Sequence, residues 1–298
     1  MTPARVSPLI VLLVLGCALP AAAQLREAAA GMGALGKADS VRASGYANDG
    51  IYFNPAGLAQ VMMYSIETGY TYQNEVAGHV FDVSIADSAT NEYIAVGLAY
   101  SYFDTAQVPG FTVPGTDSRV GHQLRAALAS GYRAKDFSAF VGVGVRWINL
   151  TLADRSAVDP VTMDAGILLV IKNLIRIGVT GHNLIEHPDE RHEVPRQIGT
   201  GVSVALSGFL AEFDAVVDFD TRSETMAQYS VGLEYDIAQM LPIRAGYMYS
   251  GVLDRHRIAV GVGYYSQIVG VDVGYLQDVS SADKSDATVG LDLRIFLP

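Results

Sequence analysis

From about Met62 to its end the chain alternates apolar residues with small or polar ones at a period of two. In Phe140–Trp147, Val141, Val143, Val145 and Trp147 fall on one face, and Gly142, Gly144 and Arg146 on the other. Successive side chains of a strand point to opposite sides, so this is a strand with one apolar face. The pattern returns at 94–102, 213–219, 258–264, 269–275 and 289–295. Fourteen such segments can be drawn: 62–73, 78–86, 92–103, 121–133, 138–151, 161–171, 174–183, 196–206, 209–220, 227–237, 241–250, 256–265, 267–277 and 285–297. Each is about ten residues long, the length of a tilted strand crossing a hydrocarbon core, and their number is even, as bacterial barrels require. The pattern predicts an all-β fold: a transmembrane, antiparallel, up-and-down β-barrel of about fourteen strands.

The links between segments sort by parity. After even segments they are short, as at 134–135, 172–173 and 207–208, while after most odd segments they are longer and more polar, as at 104–118, 152–160 and 184–195. Outer-membrane barrels have short periplasmic turns and longer external loops, so both ends of the barrel are expected on the periplasmic side. Tyrosines gather at segment ends, among them Tyr70, Tyr72, Tyr100, Tyr102, Tyr132, Tyr229, Tyr247, Tyr249, Tyr264 and Tyr275. Most lie on the apolar face, where they read as an interfacial girdle or as ordinary strand propensity.

The region before the strands is different. Arg5, the apolar stretch 9–19 and Ala21-Ala22-Ala23 read as an export signal over 1–23, with the mature chain starting near Gln24. The stretch Val14-Leu15-Gly16-Cys17 offers a rival lipoprotein reading in which Cys17 is the anchor. Residues 24–59 are rich in Ala and Gly without alternation, and are expected to form a short plug-like, hatch-like segment in the lumen or at its mouth. The barrel then occupies 60–298.

Half the residues are hydrophobic, yet no run after the signal is long enough for a transmembrane helix. Net charge is −11, from 20 Lys and Arg against 31 Asp and Glu, with no basic run, which excludes a nucleic-acid partner. Cys17 is the single cysteine, so a mature chain beginning at Gln24 has no disulfide and no thiolate chemistry.

Just before the first strand stands Asn54-Pro55-Ala56-Gly57-Leu58-Ala59, preceded by Gly31-Met32-Gly33-Ala34, Ala47-Asn48-Asp49-Gly50 and Tyr52-Phe53. This resembles the NPAGLA signature of the barrel superfamily that holds the FadL-type long-chain fatty-acid transporters and the PorV-like barrels of type IX secretion. Asp164-Ala165-Gly166-Ile167-Leu168, Ile177-Gly178-Val179, Asn183-Leu184, Pro195 and Gly199 resemble the PorV-like branch. The resemblance implies an outer-membrane barrel engaged in transport or secretion, such as passage of a small apolar compound, with Asn54, Pro55, Ala56, Gly57 and Leu58 at a gate. Its alternative is a closed barrel that serves as a scaffold for a secreted or surface protein. Physically, Pro55 holds Asn54 extended, Asn54 bonds nearby backbone and Gly57 allows a tight turn, so the motif also reads as a turn that launches the first strand. The external loops are short beside the long insertions with which the fatty-acid branch captures its ligand.

The inferred inward face carries Glu67, Arg125, Arg146, Arg176, Glu212, Asp214, Asp218, Glu234, Arg244, Arg257, Asp272, Asp292 and Arg294. Such charges pair across the lumen as a stiffening network or line a pore. His182, Glu186, His187, Asp189, Glu190, His192 and Glu193 fall in one external loop; their spacing matches no metal site and reads as a solvated loop. There is no G-x-S-x-G, H-E-x-x-H or phosphate loop, so no enzyme and no cofactor are expected; a surface hydrolase would need a Ser–His pair on one cavity. The partners expected are the bilayer with its lipopolysaccharide, and the barrel-assembly machinery, for which Phe296 stands where a terminal aromatic is usual.

Overall fold

The structure is a computed structural model that describes residues 31–74, 77–105, 119–152, 155–187, 194–222, 224–280 and 286–297. The export signal and its rival lipoprotein site lie outside the described residues. Fourteen long antiparallel strands close into a barrel. They are β1 (Tyr64–Gln73), β2 (Gly78–Asp87), β3 (Ala95–Thr105), β4 (Arg119–Arg133), β5 (Phe137–Leu152), β7 (Val161–Ile171), β8 (Ile175–His182), β9 (Gln197–Leu206), β10 (Phe209–Asp218), β11 (Met226–Ile237), β12 (Leu241–Ser250), β13 (Arg255–Tyr265), β14 (Val269–Asp278) and β15 (Ala287–Leu297). Each pairs with its neighbours in sequence, and β1 pairs with β15 from Tyr64↔Leu297 to Gln73↔Thr288, which leaves no open edge.

A short strand, β6 (Arg155–Val158), folds back on β5 where the sequence pattern predicts only loop. Four residues are too few for a periodic signal. Two other boundaries differ because a side chain competes for the backbone. The segment expected to start at 92 begins at Ala95, because Asp87 Oδ1 accepts from the Ala89 and Thr90 amides and Asn91 Oδ1 from those of Tyr93 and Ile94. The segment expected to reach 220 stops at Asp218, whose carboxylate takes the amides of Asp220 and Thr221. In both places a side chain offers the backbone a turn in place of the ladder.

Both ends of the barrel lie at one rim, that of the short turns. Lys172 and Asn173, Ser207 and Gly208, and Ala238 and Gln239 there have consecutive positive φ, the conformation that matches strand twist in tight hairpins. The longer connections gather at the opposite rim.

The alternation sorts the wall. Leu98, Val141 and Val260 are more than half exposed on the outside, while Gly97, Gly142 and Ala259 on the same strands face inward. An exterior this apolar is matched to lipid. No described helix is long and apolar enough to cross a membrane.

Residues 31–60 run along the inner wall. They form two short helices, α1 (Met32–Leu35) and α2 (Asn48–Phe53), and a 3-10 turn over Pro55–Ala59, with nearly every residue buried.

Candidate functional site

The inner wall carries a lane of glycines at the level of this segment: Gly97 on β3, Gly142 on β5, Gly166 on β7, Gly178 on β8, Gly201 on β9, Gly232 on β11, Gly246 on β12, Gly261 on β13, Gly274 on β14 and Gly290 on β15. A side chain at any of them would meet residues 32–58. A Cβ on Gly261 would lie 2.9 Å from the Gly36 Cα, and one on Gly274 would lie 2.9 Å from the Met32 carbonyl oxygen. Several of these glycines face one another in register: Gly142↔Gly166, Gly178↔Gly201, Gly232↔Gly246, Gly261↔Gly274 and Gly274↔Gly290. The lane lets the main chain of the segment touch the main chain of the wall.

Beside the lane, inward carboxylates take the segment's amides. Asp214 Oδ2 accepts from Val41 N and Arg42 N, each at 3.0 Å, and pairs with the Arg42 guanidinium at 3.2 Å. Glu212 accepts from Ala43 N at 2.7 Å and from Ser44 N. Asp292 accepts from Met32 N at 2.6 Å. Asn48 bridges two strands, donating to Ser84 Oγ at 2.8 Å and accepting from Ser65 Oγ at 2.5 Å. Met32 opens α1 and residues 41–44 lie in a turn outside both helices, so these amides have no helical or ladder partner and the carboxylates supply acceptors.

The motif residues are part of the same contact. Asn54 is almost fully buried; its Nδ2 donates to Arg42 O at 2.9 Å and to Ile167 O on β7 at 3.3 Å, and its Oδ1 accepts from Ala56 N at 3.1 Å. Pro55 and Ala56 lie on Gly142, and Leu58 on Gly97. Gly57 lies in a tight turn, with its amide donating to Asn54 O at 2.8 Å, but for a different physical reason. Its φ is not positive, and it is small because the Gly45 carbonyl lies where a Cβ would go. Asn54 and Pro55 therefore fasten the segment to the wall as well as leading into β1.

The remaining predicted lumen charges separate into pairs and caps. Arg244 bridges Glu234 at 2.6 Å and Asp272. Arg294 pairs with Glu67. Arg125 lies 3.3 Å from Asp164, and Arg146 donates to Asn183 at 3.1 Å. Arg257 pairs with Asp286 at 3.2 Å. Arg176 faces inward with its Nε and Nη1 unpartnered. Asp218 caps the loop after β10 and lies outside these pairs.

His182 is not in a solvated loop. It ends β8 as a buried residue, with Nε2 3.1 Å from the Phe53 carbonyl and Nδ1 3.6 Å from Asp164, so it ties the segment to β7. The bulk of the ring against α2 could not be read from a loop composition. Glu186 pairs with Arg196 at 3.4 Å and His187 meets Val161 O at 2.9 Å, whereas Asp189, Glu190, His192 and Glu193 lie outside the described residues. Among the described residues no three His, Cys, Asp or Glu side chains could hold a metal ion.

One set of residues escaped the sequence reading. Val80, Phe103, Ile148, Leu150, Val194, Met248 and Leu276 point inward at the long-loop end and are buried together, with Met32 and Leu35 of α1 beneath them. The signal was a lapse in alternation: Ile148 and Leu150 are apolar on the face where Gly142 and Gly144 are small. The lumen therefore holds two apolar clusters, this one toward the long loops and a second in which Ile51, Phe53 and Leu58 of the segment pack with Ala95, Ala129, Phe140 and Leu168 of the wall, alongside the charged groups that hold the segment. At the short-turn rim a cavity of about 240 Å³ opens beside the segment, lined by Lys37, Tyr46, Asp49, Glu234, Arg244 and Arg294 among others. Burial raises the Tyr46 phenol above its ordinary pKa, so it keeps its proton there.

Among solved structures the chain is similar to the monoaromatic hydrocarbon channel CymD, at 13% identity and TM-score 0.62 over 92% of this chain and 98% of that one. A Pseudomonas aeruginosa FadL homologue matches at 11% and 0.58, over 89% and 97%. The fold is that of a FadL-type barrel. The Pseudomonas putida toluene transporter TodX matches at 13% and 0.58, over 91% and 98%. No protein-family model and no curated protein matches the sequence.

Proposed function

We propose that this FadL-type barrel is an outer-membrane channel for a small apolar compound, with residues 31–59 as its hatch. The observation that carries the reading is the buried apolar layer of Phe103, Ile148, Leu150 and Met248 at the long-loop end, directly above α1. An inward face has no need of apolar residues to meet lipid, and a water-filled pore is polar inside. The structural neighbours titled as hydrocarbon channels and toluene transporters support the same class of cargo. In this reading the export signal over 1–23 delivers the chain to the periplasm, the short-turn rim faces it, and the long loops face out.

Beyond its chain connection to β1, the segment is held by hydrogen bonds, ion pairs and close packing, so it can move as a unit once those contacts exchange with water. The carboxylates of Glu212, Asp214 and Asp292 are its fasteners. Proteoliposomes bearing the full chain are expected to take up toluene faster than empty ones, and faster still when the fasteners are removed. Uptake at the empty-liposome rate by both would sink the channel reading. The density of the glycine lane favours a second reading, a permanently closed barrel that scaffolds a secreted or surface protein in the manner of the PorV-like branch. That reading expects no uptake together with a stable protein partner recovered from native outer membranes.

A further inference from the structure

One motif recurs three times on the outer wall. Tyr70-Thr71-Tyr72 on β1 faces His79-Val80-Phe81 on β2; Tyr100-Ser101-Tyr102 on β3 faces His122-Gln123-Leu124 on β4; Tyr247-Met248-Tyr249 on β12 faces His256-Arg257-Ile258 on β13. The register is identical in all three: Tyr72↔His79, Tyr102↔His122 and Tyr249↔His256. In each, the first tyrosine reaches diagonally to the histidine, with OH to Nδ1 distances of 2.8, 2.7 and 2.6 Å. The second tyrosine packs its ring against the imidazole, at centroid distances of 5.2, 5.4 and 5.0 Å. Three of the chain's six histidines are used this way.

All three clusters lie at the long-loop rim, just beyond the exposed apolar residues Phe81, Leu124 and Ile258. They occupy three of the four successive hairpins that close at the long-loop rim from β12 round to β4. On the outward faces of these six strands, among the described residues, no Lys or Arg is present. The histidines are the only groups there that can carry positive charge. A phenol donating to Nδ1 leaves the ring proton on Nε2. No described residue bonds that Nε2, so in the tautomer in which the phenol is the donor each cluster presents an oriented N–H at the level where the apolar belt ends. Asp104 stands level with His79, opposite it in register, and bonds the Tyr102 hydroxyl, while Asp254 accepts from Tyr249 at 3.3 Å, so two of the three clusters also carry a carboxylate that any anion bound there must lie away from.

We propose that these Tyr–His–Tyr clusters are docking sites for the phosphate-bearing headgroups of outer-leaflet lipids, with the histidine Nε2–H as donor to a phosphate oxygen and the tyrosine rings packed against the glycolipid body. Lipid is the occupant because the clusters stand on the lipid-facing wall, contiguous with its apolar belt. Packing alone asks for no histidine: any aromatic would serve the girdle. The proposal rests on the membrane-spanning reading but not on transport, so a chain that passes no toluene leaves it standing.

The test uses the purified full chain in detergent, with retained lipid read by native mass spectrometry. The probes are bis-phosphorylated lipid A and its dephosphorylated form. The wild type is expected to retain the phosphorylated lipid at least tenfold better, and H79Q/H122Q/H256Q to bring that preference to within twofold. Y70F/Y100F/Y247F keeps the rings and frees Nδ1, and is expected to fall between them; it also serves if the histidine variant does not fold, as judged by heat-modifiable migration. Equal retention of both lipids by the wild type, or an undiminished preference in either folded variant, overturns the proposal. Displacement of the lipid by equimolar inorganic phosphate would assign the site to a free anion and overturns it as well.

Discussion

Glu67 and Arg294 stand directly opposite each other across the seam where β1 meets β15, and they form an ion pair inside the ring. The two residues are 227 positions apart, and both side chains are almost completely buried. Their pairing sits at the closure that turns a sheet into a barrel.

Removing one partner should be costly. Glu67→Gln leaves the Arg294 guanidinium buried without its anion, an effect of about 3–5 kcal/mol. Urea unfolding in lipid vesicles should show the loss, and the double variant Glu67→Gln/Arg294→Gln should recover most of it. A single variant as stable as the wild type would mean that the pair does not hold the seam.

A side chain in the glycine lane should dislodge the segment. Gly166→Leu places a branched group where Asn54 and Pro55 lie. The barrel is expected to keep its heat-modifiable migration, while cleavage within residues 31–59 by added protease rises and toluene uptake increases several-fold. An unchanged cleavage pattern would show that the wall yields and the segment stays.

Loss of a fastener should act locally. Asp214 serves Val41 N, Arg42 N and the Arg42 side chain. Asp214→Ala leaves the Val41 and Arg42 amides without an acceptor, a cost of about 1–3 kcal/mol, while the Arg42 guanidinium keeps the Asp39 carbonyl. Hydrogen exchange should quicken at residues 41 and 42 and stay unchanged on β1 and β15. Uniform quickening would mean that Asp214 stabilises the barrel as a whole.

The apolar layer should matter for cargo more than for folding. Ile148→Asp puts a charge beside Phe103, Leu150 and Val158. Toluene uptake is expected to fall at least fivefold while Ile148→Val stays near wild type. Uptake indifferent to the charge would place the route elsewhere in the barrel.

Much of this molecule is legible from ten-residue windows. The face that carries Val141, Val143 and Val145 points outward as its period requires, and the short turns fall on one rim because residues such as Ser207 and Gly208 permit left-handed turns. The inward positions of Arg125, Glu212, Asp214 and Arg294 follow from the same alternation. Where a side chain competes for the backbone, as Asp87 and Asn91 do before β3, periodicity alone misplaces the boundary.

Strand positions, the face each strand turns to lipid and the sorting of the loops are local properties, written in alternation and turn chemistry. Which inward residues meet is not local. That Glu67 finds Arg294, that His182 reaches Phe53, and that glycines from ten strands line up beneath residues 32–58 depend on inter-strand register and on closure of the ring. The same is true of the three Tyr–His–Tyr clusters, whose parts lie on separate strands. Register couples residues that a window of sequence never holds together, and a one-residue slip would exchange every inward partner for an outward one.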